Sequence, residues 1–341
     1  MSFTQFNKDE DIVQDARTRI TRGLWSNGVG TMTTFVTASG LDMSSSPGKY
    51  YYNVYATAAA TGSSEAEFSV AYAHISGGGA LSTDIDQPTK AIYGQYATML
   101  SNNPKSILTY GSKTYSATLG VTESSTFNDF IAISIKRSNL KSTMDPGNWQ
   151  LTLKGINNVY LSLVDNSNGS TDNIVTEDTY YGIVSGSIND GIYNPTTPVY
   201  YGKFYPKHGV LLIDPLIVSQ SATFLYNSGS DGYKNNHGYF FDIISNGAYF
   251  EGRSAESISS THYFVRVKNK QYNFTNNPTF VSSSNGVDYV LYSEFQNDPK
   301  TFITTVGLYN DFNELLAVAK LSKPIKKSFS SETLIKARID F

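Results

Sequence analysis

Catalysis or metal binding would most readily start from the histidines, and these stand alone. His74, His208, His237 and His262 are scattered singly along the chain. None belongs to an i, i+4 pair or to a His–carboxylate cluster of the kind that holds a metal. There is no cysteine, which excludes disulfides, thiolate metal sites and cysteine nucleophiles. No Gly-x-Ser-x-Gly elbow, Walker sequence, dinucleotide fingerprint after a strand or zinc motif is present. Two carboxylates from distant positions could still assemble an acid–base pair. Taken together, the residue types point to a structural or binding protein, with no enzymatic activity, no cofactor and no metal expected.

Five local patterns merit a chemical reading. Tyr200, Lys203, Tyr205 and His208 place phenols, an amine and an imidazole just before the apolar run Val210–Ile213, as a proton-transfer site would. No second acid or base is spaced to help them, so a turn whose aromatics cover a sheet is expected. Gly77-Gly78-Gly79 could cradle phosphate, but no Lys-Ser/Thr or helix start follows at the required spacing. DNSNGS, residues 165–170, has its glycine one place early for an EF-hand and no closing Glu, so it reads as a plain turn. Asn168 and Asn273 head glycosylation-type triplets, which carry meaning only in a secretory context. Finally, Arg17, Arg19, Arg22 and Trp25 lie in a stretch with little apolar periodicity. That stretch reads either as a solvated edge strand or as an arm, Asp9–Trp25, laid on a neighbouring chain, with Trp25 as its anchor.

Composition bounds the setting. At 341 residues the chain is long enough for two domains. Only 16% of residues are charged, below the roughly 25% of an average domain. Ser, Thr, Asn, Gly and 25 Tyr take their place. Tyr and Thr favour half-buried pleated surfaces, and Tyr favours partner contacts. A net charge of −3 gives no strong attraction to nucleic acid. The N-terminus lacks the basic and apolar regions of a signal peptide. No apolar run reaches the length of a membrane span.

Strands are expected to position these residues. Tyr50–Tyr55, Glu67–Ile75, Phe130–Lys136 and Tyr263–Lys268 read as strands. Asn148–Leu153 and Val159–Val164 read as a hairpin closed by Gly155, Asn157 and Asn158, with Trp149, Leu151 and Leu153 on its apolar face. Helices are expected at Thr89–Leu100, with Ile92, Tyr96, Met99 and Leu100 as its stripe, and at Tyr239–Ser245, ended by Asn246-Gly247. A short helix from Asp9 to Thr18 is also compatible. Near the end, Thr301–Leu308, Glu314–Leu321 and Thr333–Phe341 alternate apolar and polar, with Asn310, Asp311 and Asn313 as a turn. The fold class is therefore mainly β with a few helices (α+β), in antiparallel, sandwich-like sheets with a C-terminal meander. The expected organisation is an N-terminal arm (1–30), a β-rich domain (31–175) carrying helix 89–100, and a second β-rich domain (176–341).

The stretches FVRVKNKQYNFTNNPTF, NDPKTFITTVGLYNDFNELLAVAKLSKPIKKSF and LIKARIDF resemble the C-terminal region of a family of virion structural proteins. These belong to contractile-tailed bacteriophages related to the T-even and cyanophage group. Upstream, FVTAS, YYYNVY, AEFSVAYAHI, AIYGQYATML, FIAISIKR and YYGKFYPKHGVLLID follow in that family's order. The short polar loops at 41–49 and 229–237 mark a compact member. The resemblance implies a particle component without catalysis, placed in the tail baseplate as a wedge protein. Its partners would be other virion proteins of the tail, baseplate or neck. It would be oligomeric or multi-copy, made in the host cytoplasm, and free of nucleic acid and membrane spans. A module binding the host surface or carbohydrate is the second reading, because exposed aromatics among Ser, Thr and Asn also suit sugar stacking. A capsule-polysaccharide hydrolase, which needs a deep cleft with two facing carboxylates, is the third.

Overall fold

The computed structural model describes residues 4–14, 18–37, 50–57, 65–80, 88–101, 108, 127–168, 180–227, 235–284 and 287–340. In chain order the elements begin with α1 (Lys8–Asp11), β1 (Ile12–Gln14), β2 (Thr18–Gly23), β3 (Thr31–Met32), β4 (Val36–Thr37), β5 (Tyr51–Tyr55) and β6 (Ala66–His74). Then come α2 (Pro88–Ser101), β7 (Asp129–Ile135), α3 (Arg137–Leu140), β8 (Thr143–Lys154), β9 (Tyr160–Asp165), β10 (Tyr181–Ser187) and β11 (Gly191–Ile192). They are followed by β12 (Tyr200–Tyr205), β13 (Val210–Ile213), α4 (Pro215–Ser221), α5 (Asn236–Ser245), β14 (Phe250–Ile258) and β15 (Ser260–Val267). The last are β16 (Val281–Ser284), β17 (Val287–Val290), α6 (Ser293–Asn297), β18 (Thr301–Tyr309), β19 (Leu315–Lys327) and β20 (Thr333–Asp340). The fold is thus mainly β with a few helices, and its strand pairs are antiparallel. No described helix is long and apolar enough to cross a membrane.

The chain forms two compact units, one of Arg19–Glu256 and one of Met1–Thr18 with Ser257–Phe341. This division differs from the expected one. The 175/176 boundary falls inside the larger unit, where β9 and β10 pair directly across it. Composition cannot reveal this, because pairing partners are chosen by matching faces and not by sequence proximity.

The larger unit is built on one sheet, ordered β2-β14-β8-β9-β10-β12-β13-β7-β6-β5-β4, with β3 and β11 as side pairings. Its central strands β7, β12 and β13 are buried along nearly their whole length. Both of their faces are covered, so their sequences read as continuous apolar runs. β5, near the edge, keeps the half-buried alternation. The accumulated twist of so many strands curls the sheet until its two ends approach each other. Phe68 on β6 and Phe250 on β14 have ring centroids 5.5 Å apart, and Trp25 lies 6.0 and 4.9 Å from them. The hairpin β8–β9 forms as expected, with Trp149, Leu151 and Leu153 fully enclosed. Asn158 in its turn takes a φ of 60°, a conformation Asn tolerates better than most residues. Helix α2 matches its expected span but not its stripe. Tyr93, Ala97 and Leu100 are buried, Ile92 and Tyr96 are partly so, and Met99 is exposed. Tyr93 can enter the core because its hydroxyl donates to the Phe127 carbonyl at 2.8 Å, a possibility that apolar periodicity alone does not rank.

In the smaller unit β15 is the centre of a three-stranded sheet, β1-β15-β20, while β18–β19 and β16–β17 each form a separate two-stranded ribbon. The three C-terminal strands are therefore not a meander. β18 and β19 pair as expected, but β20 pairs with β15 from Ser260↔Asp340 to Val267↔Thr333. β19 ends at Lys327. Its side chain is wholly buried at the end of β19 and donates to the Asn269 carbonyl, Asn273 Oδ1 and the Ser328 carbonyl at 2.9, 3.0 and 2.7 Å. Phe341 lies outside the described residues.

The N-terminal stretch supplies edge strands and no long helix. α1 covers only Lys8–Asp11, capped by the Asn7 side chain. β1 pairs with β15, and Asp11 meets Arg266 at 3.2 Å. β2 joins the larger sheet beside β14. The described parts of this stretch thus add edge strands to the chain's own sheets.

Candidate functional site

Two kinds of site are present: buried ionisable groups in the larger unit, and an apolar surface on the smaller one. Among the buried groups, Asp129 at the start of β7 is the most elaborated. Its Oδ2 accepts from the Tyr72 hydroxyl at 2.7 Å and from the Tyr226 hydroxyl at 2.6 Å. Burial raises the Asp129 carboxyl above its usual range, against the pull of these donors and of nearby His74. Burial and the adjacent carboxylate push both phenols up, so they stay protonated and keep donating. Gly79, at φ +76°, lies so close that a Cβ there would enter the Tyr72 ring. The triple glycine thus packs against the carboxylate clamp, and its Gly78 carbonyl accepts from Thr89.

Lys203 on β12 is buried, with its ammonium 4.2 Å from the centre of the Tyr180 ring. Burial lowers it to about 8. Tyr205 packs on Tyr180 at 5.7 Å, whereas the Tyr200 hydroxyl is hydrogen-bonded to Asn166. Tyr200 and Lys203 therefore address different neighbours, and with Tyr205 they belong to the buried strand β12 and not to the expected turn, which spans only 206–209 and includes His208. Asp214 caps α4 by accepting from the Leu216 and Ile217 N–H groups at 2.8 and 3.2 Å. Burial raises it to about 6. A cavity of about 420 Å³ in this unit, lined by Ile156, Leu225, Tyr239 and Asp242 among others, includes none of Asp129, Lys203 or Asp214. These groups hold elements together and face no substrate-sized space there.

The remaining candidates resolve individually. Asp165 is buried and accepts from the backbone N–H groups of Gly147 and Ser167 at 2.8 and 2.9 Å, so it organises a turn. Residues 169–170 of that loop lie outside the described residues. Asn273 is buried and donates to the Asn269 carbonyl at 2.7 Å while accepting from Lys327. His237 is enclosed with its ring 4.9 Å from Tyr52, and His74 Nδ1 accepts from the Ser76 N–H. Among the described residues no group of His, Cys, Asp or Glu could hold a metal.

The expected interface residues are dispersed. Trp25 is a core residue, its indole N–H shared between the carbonyls of Gly30 and Phe250 at 3.1 and 3.2 Å. It anchors the stretch to its own sheet. Arg19 pairs with the buried Asp145. Arg22 is exposed, and Arg17 lies outside the described residues.

The remaining candidate is the outer face of the β18–β19 ribbon. One face rests on the small core through Val306, Leu308, Ala317, Ala319 and Ile325. On the other, Gly307 pairs with Val318 and Tyr309 with Leu315. A Cβ on Gly307 would meet the Tyr309 ring and Leu315, so these side chains close over the glycine as one patch. The turn beyond is rigid. Asn310 Oδ1 accepts from the N–H groups of Phe312 and Glu314 at 3.0 and 2.8 Å, and its amide donates to Glu314 at 2.7 Å. Asn313 supplies the positive φ. The tip so held presents Phe312 at 85% exposure, beside Leu316 at 68%. Farther from the tip the same face turns basic, with Lys320 opposite Thr305 and Lys326 opposite Phe302. The alternation of 315–321 was legible. That the face carrying Leu316, Val318 and Lys320 would stay uncovered was not, because only the tertiary partner decides which face is covered. No family model matches the chain, and neither does any curated protein or solved structure.

Proposed function

We propose that the chain is a structural component of a tailed bacteriophage virion, a baseplate (wedge) protein that acts by binding neighbouring particle proteins. It is multi-copy, resides in the tail and catalyses nothing. The observation that carries the binding role is the preorganised apolar tip of the β18–β19 ribbon. Isolated two-stranded ribbons are marginal in water, and contiguous exposed apolar patches mark interaction sites. Here Tyr309, Phe312, Leu315, Leu316 and Val318 are all exposed on or beside one such ribbon. Their neighbours Asn310 and Glu314 are spent on each other. The side chains exposed at the tip are mostly large and apolar, which favours a protein partner at this surface. Lys320, Lys323 and Lys326 ask that partner for acidic residues flanking an apolar patch. The placement in a baseplate rests on the resemblance of residues 264–280, 297–329 and 334–341 and the upstream segments to the virion family.

Crosslinking mass spectrometry of intact particles tests this directly. Crosslinks from Lys320, Lys323 or Lys326 to another virion protein are expected. A Phe312→Asp/Leu316→Asp double variant should fold yet fail to enter particles, and its full incorporation would overturn the reading.

A further inference from the structure

The 420 Å³ cavity of the larger unit lies within the size range of small-ligand pockets. Three segments build it. The β8–β9 turn contributes Gly155, Ile156 and Asn158; the segment after α4 contributes Phe224 and Leu225; and α5 with its C-cap contributes Tyr239, Asp242, Ile243 and Asn246. The α5 residues are spaced i, i+3, i+4 and i+7, so one helix face forms a wall. The walls are fixed. The Ile156 N–H donates to the Thr223 carbonyl at 2.8 Å, and Phe224 packs edge-on against Phe240 at 5.7 Å.

The polar groups of this cavity are left available. Among the described residues the Asp242 carboxylate has neither a hydrogen bond nor an ion pair, and burial by its surroundings raises its carboxyl. The side-chain amides of Asn158 and Asn246 are likewise without partners among the described residues. Lys154 lies over the Tyr160 ring at 5.4 Å and forms no ion pair with Asp242. One cation and one anion make the lining neutral overall. Apolar Ile243, Phe224 and Leu225, with the Tyr239 ring, stand beside amides and a carboxylate. That is the complement of a pyranose, which offers a C–H face for packing and vicinal hydroxyls for amide and carboxylate bonds.

We infer that this cavity is a binding subsite for a neutral hexopyranoside, with Tyr239 as the packing wall and Asp242, Asn158 and Asn246 as hydroxyl partners. The site is separate from the ribbon, and the inference stands whether or not the ribbon docks a protein.

Saturation-transfer NMR on the full chain, with the methyl glycosides of glucose, galactose, mannose and N-acetylglucosamine as probes, tests it. At least one glycoside should show transfer. Asp242→Ala should weaken that glycoside by about tenfold, the scale of one charge-assisted hydrogen bond, and Tyr239→Ala should weaken it by about as much through lost packing on the sugar's C–H face. Phe312→Asp on the ribbon should leave it unchanged. Among the described residues the Asp242 side chain makes no hydrogen bond or ion pair, so its variant should unfold close to the wild-type temperature. No transfer with any of the four probes, or transfer that survives both cavity substitutions, would overturn the proposal.

Discussion

In the larger unit Trp149, Phe204 and Phe250 are completely enclosed, each at 0% exposure. In the smaller unit the enclosed cluster is Val306, Leu308 and Ile335, while Phe302, Phe312, Phe274 and Phe329 face solvent. Both units are antiparallel β structures of ordinary strands. What separates them is connectivity. A sheet of thirteen strands can curl onto itself and bury one whole face around Trp25, Phe68 and Phe250. A three-stranded sheet and two ribbons cannot, and the smaller unit encloses too little apolar surface to rely on its core alone. It relies also on local polar fasteners, Lys327 and Asn310, and leaves several of its large side chains outside.

If this contrast is right, core truncation should hurt the larger unit most. Trp149→Ala removes a buried indole packed 5.2 Å from Phe204 and should cost about 3–5 kcal/mol. Thermal unfolding followed by tryptophan-independent circular dichroism would measure it.

The next largest effect is a pH dependence confined to the larger unit. The folded Asp214 carboxyl sits at about 6, against about 3.9 in an unfolded chain. Between those values the folded state binds the extra proton. Stability should therefore fall as pH rises from about 4 through about 6, by on the order of 2–3 kcal/mol for this group. Asp214→Asn keeps a good helix cap and should flatten that segment of the profile. An unchanged profile would show that Asp214 is solvated and that the unit is less tightly enclosed than described.

In the smaller unit the strongest effect should come from a polar residue. Lys327→Met leaves the Asn269 carbonyl, Asn273 Oδ1 and the Ser328 carbonyl without their donor, at a cost of about 1–3 kcal/mol. Hydrogen exchange should quicken in β18, β19 and residues 268–273 and stay constant in β7 and β13. Protection lost equally in both units would erase the distinction between them. Smallest of all, Phe312→Ser should change stability by no more than about 0.5 kcal/mol, while weakening capture by the particle.

Much of this architecture is written locally. The β8–β9 hairpin, the Asn310–Asn313 turn, α5 and the buried run of β7 all follow from side-chain period and turn chemistry within a few residues. The candidate sites are written hardly at all. Asp129 meets Tyr72 and Tyr226 only because β6 pairs with β7 and the segment before α5 returns over their ends. The docking tip was legible as a turn and not as a surface. The α5 wall of the cavity could be found by its spacing, but Ile156 and Leu225 join it from elsewhere in the chain.

Alternation in β20 placed Ile335 and Ala337 on one face, and both are buried; it could not say that the covering partner strand would be β15. Trp25 marked an anchor, and an anchor it is, but the sequence could not tell its own Phe250 from a neighbour's surface. Period and turn chemistry are properties of a few adjacent residues, so they are settled along the chain. Pairing, curl and exposure depend on which distant faces meet, and that choice is made by the total apolar area buried when the whole sheet closes.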